Sequence, residues 1–127
     1  MNSRTKANLT ASARAEAFAY AAYMLFADHA RADGHSELAE VFKMTATQER
    51  LEHFADAMHV LGMVHDDLDN LGQAIAGQLS AEAMYRDFAQ QAKTDGDAAA
   101  VALFSENSRD EAHHRASLED ALRRASR

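Results

Sequence analysis

The chain has 127 residues, a net charge of −7, and neither cysteine nor proline. This length suits a single domain with its own hydrophobic core. The acidic balance argues against nucleic acid as a partner, since phosphate binding needs a basic patch. The lack of cysteine excludes disulfides and thiolate metal sites.

The composition is rich in alanine and in other residues that favour helices, and no stretch alternates like a β-strand. Uncharged stretches are too short to cross a bilayer, so we expect no membrane segment. Residues 1–6 lack the apolar core of a signal peptide, and we therefore expect a cytoplasmic location.

Four helices are predicted in chain order, near residues 5–32, 36–64, 67–94 and 97–124. Thr5, Ser36 and Asp67 are the expected N-caps. Gly34 and Gly96 each follow an aspartate and are expected to end the first and third helices, because glycine adopts positive φ freely. A basic group near the C-terminus is expected to complement the dipole of the last helix; its members are Arg115, Arg123, Arg124 and Arg127.

An internal repeat underlies these helices. Residues 5–54 align without gaps with residues 67–116, at an offset of 62 positions. The identical pairs include Tyr23 with Tyr85, Phe26 with Phe88, Phe42 with Phe104 and Glu49 with Glu111. Two copies of this length predict two helical hairpins, residues 5–63 and 67–124, within one domain of residues 1–127.

Residues that can bind metal interrupt the apolar stripe of each predicted helix, where spacings of three and four define the buried face. Ionised carboxylates cannot share a core uncompensated, so they need protons, basic partners or cations. Carboxylate with some imidazole suits iron or manganese. The candidate ligands are Glu16, Glu49, Glu52, Glu82, Glu111 and His114.

These candidates also lie at similar heights along their helices. Counted along the chain, each is 14 to 18 residues from Gly34 or Gly96. At about 1.5 Å per residue, that places them roughly 21–27 Å from their turns. They can therefore meet at one level of a four-helix bundle.

The same residues resemble a known family. Asn8-Leu9, Glu16 and Glu49 in the first half, with Asn70-Leu71 and Glu111-Ala112-His113-His114 in the second, resemble the rubrerythrin-like branch of the ferritin-like di-metal carboxylate proteins. The resemblance covers about residues 5–122 and includes no rubredoxin module. It implies an all-α, ferritin-like four-helix bundle with a glutamate from each of two helices and Glu-x-x-His from the other two.

By this resemblance, Glu49 and Glu111 are metal-bridging carboxylates, Glu16 is a terminal ligand and His114 is the terminal imidazole. Two positions depart from the family pattern. Glu52 stands where the family has its first histidine, with His53 one place later. Gln78 stands where the third-helix glutamate is usual, with Glu82 one turn later. The residues expected to orient the ligands by hydrogen bonds are Tyr20, Tyr23, Gln78, Tyr85 and His53.

The connection between the hairpins limits the topology. In the ferritin-like fold the chain crosses the whole bundle between helices two and three, about 40 Å, and at least about twelve extended residues are needed. Only four residues separate Gly62 from Asp67. Either the chain is an up-down-up-down monomer, or residues 1–63 pack on residues 67–127 of a second copy. The resemblance favours the domain-swapped homodimer.

The resemblance implies a di-iron oxidoreductase that reduces hydrogen peroxide or dioxygen. It would hold two iron ions, with manganese as the alternative metal, and would take electrons from a separate donor protein because the chain has no cysteine. Three alternatives stay open: ferroxidation and iron handling, a manganese catalase-like site, and a helical interaction protein whose site is vestigial.

Overall fold

A computed structural model describes all 127 residues, and it is all-helical with no strand. The chain divides into two compact units, Met1–Val64 and His65–Arg127. Each unit is a helical hairpin, and each is described by itself below. The prediction of an all-α fold is confirmed.

The first hairpin begins with helix α1, Ser3–Ala32. Its second arm consists of α2 (Ser36–Gln48), a π-helical segment (Glu49–Phe54) and α3 (Ala55–Val60). The second hairpin consists of α4 (Asp67–Asp95) and α5 (Ala98–Ala125). The predicted bounds agree within a few residues, except that the second arm ends at Val60 rather than near residue 64.

Three glycines follow the ends of helices, and the sequence predicted two of these ends, at Gly34 and Gly96. Gly34, Gly62 and Gly96 have φ of 81°, 67° and 77°, in the left-handed region that glycine tolerates. Both hairpin turns close in the same way: His35 N–H donates to the Ala30 carbonyl at 2.8 Å, and Asp97 N–H to Ala92 at 2.9 Å. This six-residue closure satisfies carbonyls at the helix end.

The N-caps differ from those predicted. Asn2 Oδ1 accepts a hydrogen bond from Arg4 N–H at 2.8 Å, which starts α1 before Thr5. Asp66 rather than Asp67 caps α4, accepting from Asp69 N–H at 2.9 Å. Ser36 is the first residue of α2 and makes no cap bond. In the first two cases a suitable side chain one to three residues upstream satisfies the free amides first.

The interiors of the hairpins are small. Every fully buried residue is an alanine: Ala13, Ala27, Ala30, Ala39, Ala46, Ala57 and Ala92. Beside the turn, Tyr23, Phe26 and Phe42 pack with ring centroids 5.6–6.2 Å apart. Their repeat counterparts in the second hairpin contact one another similarly, at 5.5 and 6.1 Å. Alanine contacts let two helices approach closely, and the aromatic rings pack together beside the turn.

Larger apolar side chains remain exposed on both hairpins. Phe26, Leu38 and Val41 on the first, and Phe88 and Leu103 on the second, are each more than a third exposed. Two helices form one layer, and an apolar stripe needs a second layer to cover it. No helix is long and apolar enough to cross a membrane.

Replacing Gly34 with alanine should destabilise the chain by about 1 kcal/mol, because a Cβ is unfavourable at positive φ. The matched control is Gly72→Ala, within α4 and with open space around its Cα; it should gain roughly 0.5–1 kcal/mol. Urea denaturation followed by circular dichroism measures both changes. Equal effects of the two substitutions would contradict the assigned turn geometry.

Candidate metal centre

Three side chains of the first hairpin converge midway along its helices. Glu16 comes from the middle of α1, and Glu49 and His53 come from the π-helical segment that faces it. One ligand atom from each lies within 4.8 Å of the others. His53 Nδ1 is 2.9 Å from Glu49 Oε2 and 3.6 Å from Glu16 Oε2. Both carboxylates are only about one-fifth exposed, at 23% and 20%.

The π-helical segment determines which residue after Glu49 joins this group. Its wider turn is closed by hydrogen bonds that span five residues, as from Ala55 N–H to the Arg50 carbonyl. Each residue then rotates the chain less than in an α-helix. The residue at i+4 therefore returns to the face of residue i, while the residue at i+3 stays to one side. Here i+4 is His53 and i+3 is Glu52.

Glu52, a candidate ligand in the sequence, is not brought to this group. It is exposed, and its Oε2 accepts a hydrogen bond from Gln48 Nε2 at 3.1 Å. His53, expected to act only by orienting a ligand, takes the place beside Glu16 and Glu49. The π-helical segment therefore brings His53, rather than Glu52, beside Glu16 and Glu49.

The three side chains shift one another's pKa values in different directions. The hydrogen bond between Glu16 and Glu49, then burial, raises the pKa of Glu16. The same bond, together with the hydrogen bond from His53, lowers the pKa of Glu49. Of the two acids, Glu16 therefore holds a proton more readily than Glu49 does. The bond to Glu49 also raises the pKa of His53 above its ordinary 6.5, against the effect of its partial burial.

The second hairpin places a corresponding pair on α5. His114 Nδ1 lies 3.3 Å from Glu111 Oε2, one α-helical turn away. Glu111 is the repeat counterpart of Glu49, and like it is about one-fifth exposed. Because α5 is regular through this region, the histidine stands at i+3 rather than i+4. These two residues form a pair rather than a group of three.

Glu82 on α4 is held by a cation of its own chain. Arg115 forms two hydrogen bonds to its carboxylate, from Nε to Oε2 at 2.5 Å and from Nη2 to Oε1 at 3.2 Å. A third bond joins Arg115 Nη1 to Glu119 at 3.1 Å. The guanidinium lowers the pKa of Glu82. Arg115 was expected to complement the dipole at the end of its helix, but it instead links α5 to α4 through Glu82. A further hydrogen bond between these helices runs from Ser108 Oγ to the Glu82 carbonyl.

The remaining predicted residues lie around these groups without joining them. Gln78, the repeat counterpart of Glu16, has a buried Oε1 with no hydrogen-bond partner. Tyr23 and Tyr85 pack against phenylalanine rings. Tyr20 is half-buried. The structure shows no hydrogen bond from these tyrosines to a carboxylate, so their orienting role stays a prediction.

The repeat alignment contains a signal that could have identified Arg115. At the offset of 62, Arg115 stands opposite His53 and Glu82 stands opposite Tyr20. The second copy therefore has an acid and an arginine at two positions where the first copy has a tyrosine and a histidine.

The donor set of the first hairpin suits a divalent transition metal. Two carboxylates and one imidazole, close together and partly shielded from water, are the ligands that iron and manganese accept. When no cation is bound, hydrogen bonds among the three side chains offset part of the repulsion between the two acids. Metal binding would release any proton that these side chains hold.

Comparison with known proteins points to a family for the second hairpin. Residues 69–126, nearly the whole second hairpin, match the family model of rubrerythrin. A search of the curated proteins found no match. The family match confirms, over the second hairpin, the resemblance predicted from the sequence.

Without metal, His53 should titrate above 6.5, because its protonated form donates to Glu49. A raised pKa stabilises the fold fully below pH 6.5, and this contribution is lost as pH rises through the raised value. An NMR titration of the His53 ring measures it. Glu49→Gln should lower the pKa, whereas Glu52→Gln, at a neighbour outside the group, should leave it unchanged. Titration of His53 at or below 6.5 in the unaltered chain would contradict the hydrogen bond between His53 and Glu49.

Proposed function

We propose that this rubrerythrin-like chain is a di-metal carboxylate oxidoreductase that binds iron and reduces hydrogen peroxide or dioxygen. The observation that carries the proposal is the convergence of Glu16, Glu49 and His53 within one hairpin. An acidic pair costs free energy when it is brought together without a cation. That cost is understandable if the arrangement is kept for a bound metal ion.

The chain's own residues would hold the metal in distinct ways. Glu16, Glu49 and His53 supply three donors from the first hairpin, and Glu111 with His114 supplies two from the second. Glu49 would hold an ion in the first hairpin, and Glu111 would hold one in the second, at equivalent positions of the repeat. Glu82 is a further ligand only when it is released from Arg115. Partial burial of the acids would limit water access and strengthen their hold on a cation.

Iron, when bound, would supply the redox chemistry: two ferrous ions give two electrons, which with two protons convert one hydrogen peroxide to two water molecules. The protein binds and orients the metal and keeps its surroundings partly dry. Electrons for further turnovers would come from a separate donor protein, because the chain has no cysteine for a rubredoxin-type centre.

We also propose that the working unit is a homodimer with exchanged hairpins. Large apolar side chains stay exposed on both hairpins, including Phe26, Leu38 and Leu103. Only residues 61–66 separate α3 from α4, which is too short for the crossing connection of a ferritin-like fold. A second copy supplies matching helical faces without a longer connection.

Sedimentation should show two chains per particle at micromolar concentration. Leu103→Asp should shift the protein toward monomer, because it places a charge on the proposed interface. Leu25→Asp is the matched control: Leu25 is also exposed but lies outside the apolar stripe. A monomer in the unaltered chain, or equal effects of both substitutions, would contradict the dimer.

Metal binding is tested by loading metal-free protein with Fe(II) under anaerobic conditions. Glu49→Ala and His53→Ala should each weaken binding by at least about ten-fold, as expected when a charged or imidazole ligand is lost. Glu52→Ala should change it little, since the side chain is outside the group. Equilibrium dialysis with elemental analysis measures the affinities. A stronger effect of Glu52→Ala than of His53→Ala would reverse the ligand assignment.

The same variants separate the redox activities. Loaded protein should oxidise on mixing with peroxide and turn over when a reductant is added, and Glu49→Ala should abolish both. Repeated Fe(II) oxidation by dioxygen without a reductant would indicate iron handling instead. Retention of peroxide turnover by Glu49→Ala, after loss of metal, would defeat the proposal.

A vestigial site is the second candidate, and the Arg115–Glu82 pair is the observation that favours it. An acid neutralised by an internal guanidinium has no need of metal. In that case the purified chain would contain no bound metal, and would bind none when Fe(II) is supplied.

A further inference from the structure

The two repeats place different basic side chains beside their acids. In the first hairpin the partner of Glu49 is His53, at 2.9 Å. In the second, the residue at the repeat position of His53 is Arg115, and it holds Glu82 through two hydrogen bonds. This difference matters for metal binding because an imidazole can be a metal ligand and a guanidinium cannot.

The ring of His53 has a nitrogen that can bind a metal ion directly. Arg115 offers no such ligand, because its guanidinium has no acceptor atom. A cation that approaches Glu82 must therefore either displace Arg115 from its paired geometry or bind beside a fixed positive charge.

The pairing of Arg115 is better supported than an ordinary surface ion pair. The guanidinium is 29% exposed and the Glu82 carboxylate 13%, so water screens the pair only in part. The remaining side of the guanidinium bonds to Glu119. The two-bonded geometry is the strong form of arginine–carboxylate contact.

The second hairpin also lacks a carboxylate at one repeat position, because Gln78 is neutral. It occupies the repeat position of Glu16, where a neutral amide replaces a carboxylate. Its buried Oε1 lacks a partner in the structure. With Gln78 neutral and Glu82 engaged, the second hairpin offers a cation one free acid, Glu111, and His114.

We propose that Arg115 makes the two cation positions of this protein unequal, so that the Glu16–Glu49–His53 group fills first and the second position fills only when Arg115 releases Glu82. The inference rests on the proposed function, since it assumes that the first group binds metal. It assigns to Arg115 the role of an internal competitor of the second ion. The chain would then exist in a one-ion form at low metal concentration.

Titration of the full-length, metal-free protein with Co(II) tests this inference. Co(II) is stable in air, and its visible absorption reports coordination. Calorimetry and absorption should show two binding steps per chain, with the second at least about ten-fold weaker than the first. Arg115→Gln should bring the two steps to within about three-fold of each other, with the first affinity unchanged.

The matched control is Arg123→Gln, on the same helix and with the same change of charge. Arg123 pairs with Asp120 at 3.2 Å, away from Glu82. It should retain the wild-type separation of steps. Glu82→Gln provides a second variant should Arg115→Gln fail to fold, as judged by circular dichroism: it should keep the first step and lose the second.

The outcomes separate the two proposals. Two unequal steps that converge in Arg115→Gln, but not in Arg123→Gln, support the inference. A single step for both ions in the unaltered chain, one ion only in both the unaltered chain and Arg115→Gln, or loss of the first step in Glu82→Gln would overturn it and leave metal binding intact. No uptake of Co(II) or Fe(II) by the unaltered chain would overturn both proposals.

Discussion

The approach of two carboxylates within one hairpin is the constraint on which the rest of this protein depends. Glu16 and Glu49 are close enough to share a proton, and both are mostly withdrawn from water. Such a pair is unfavourable unless positive charge is supplied. In this hairpin the basic side chain nearest to Glu49 is His53, at 2.9 Å. A divalent cation would supply more charge, and without protonation of either acid.

The second hairpin meets the same constraint with a different residue. Arg115 neutralises Glu82 with a guanidinium that cannot bind metal, whereas the imidazole of His53 can itself be a metal ligand. The two copies of the repeat keep the same turns and the same aromatic packing. They diverge at the acids, where one copy has a histidine and the other an arginine. Divergence of this kind can change how a site is filled without changing the fold that carries it.

The small alanine interiors of the hairpins affect how the chain can assemble, because they leave large apolar side chains exposed. Small residues let the two helices of a hairpin lie close together, but they leave the large apolar side chains pointing away from the hairpin's own interior. Burial of those side chains requires another helical layer. In the proposed dimer, that layer would come from a second copy.

The sequence by itself determined the helices, the turns at Gly34 and Gly96, the repeat, and the acids that face inward. These features depend on local backbone preference and on spacing along one helix, which a sequence displays directly. Spacing could not choose between Glu52 and His53, because i+3 and i+4 both lie near the face of residue i on an α-helix. Only the tertiary structure showed that His53, rather than Glu52, lies beside Glu16 and Glu49, because a π-helical segment packs opposite α1. It also decided that Arg115 holds Glu82, since that contact joins residues 33 positions apart on two helices.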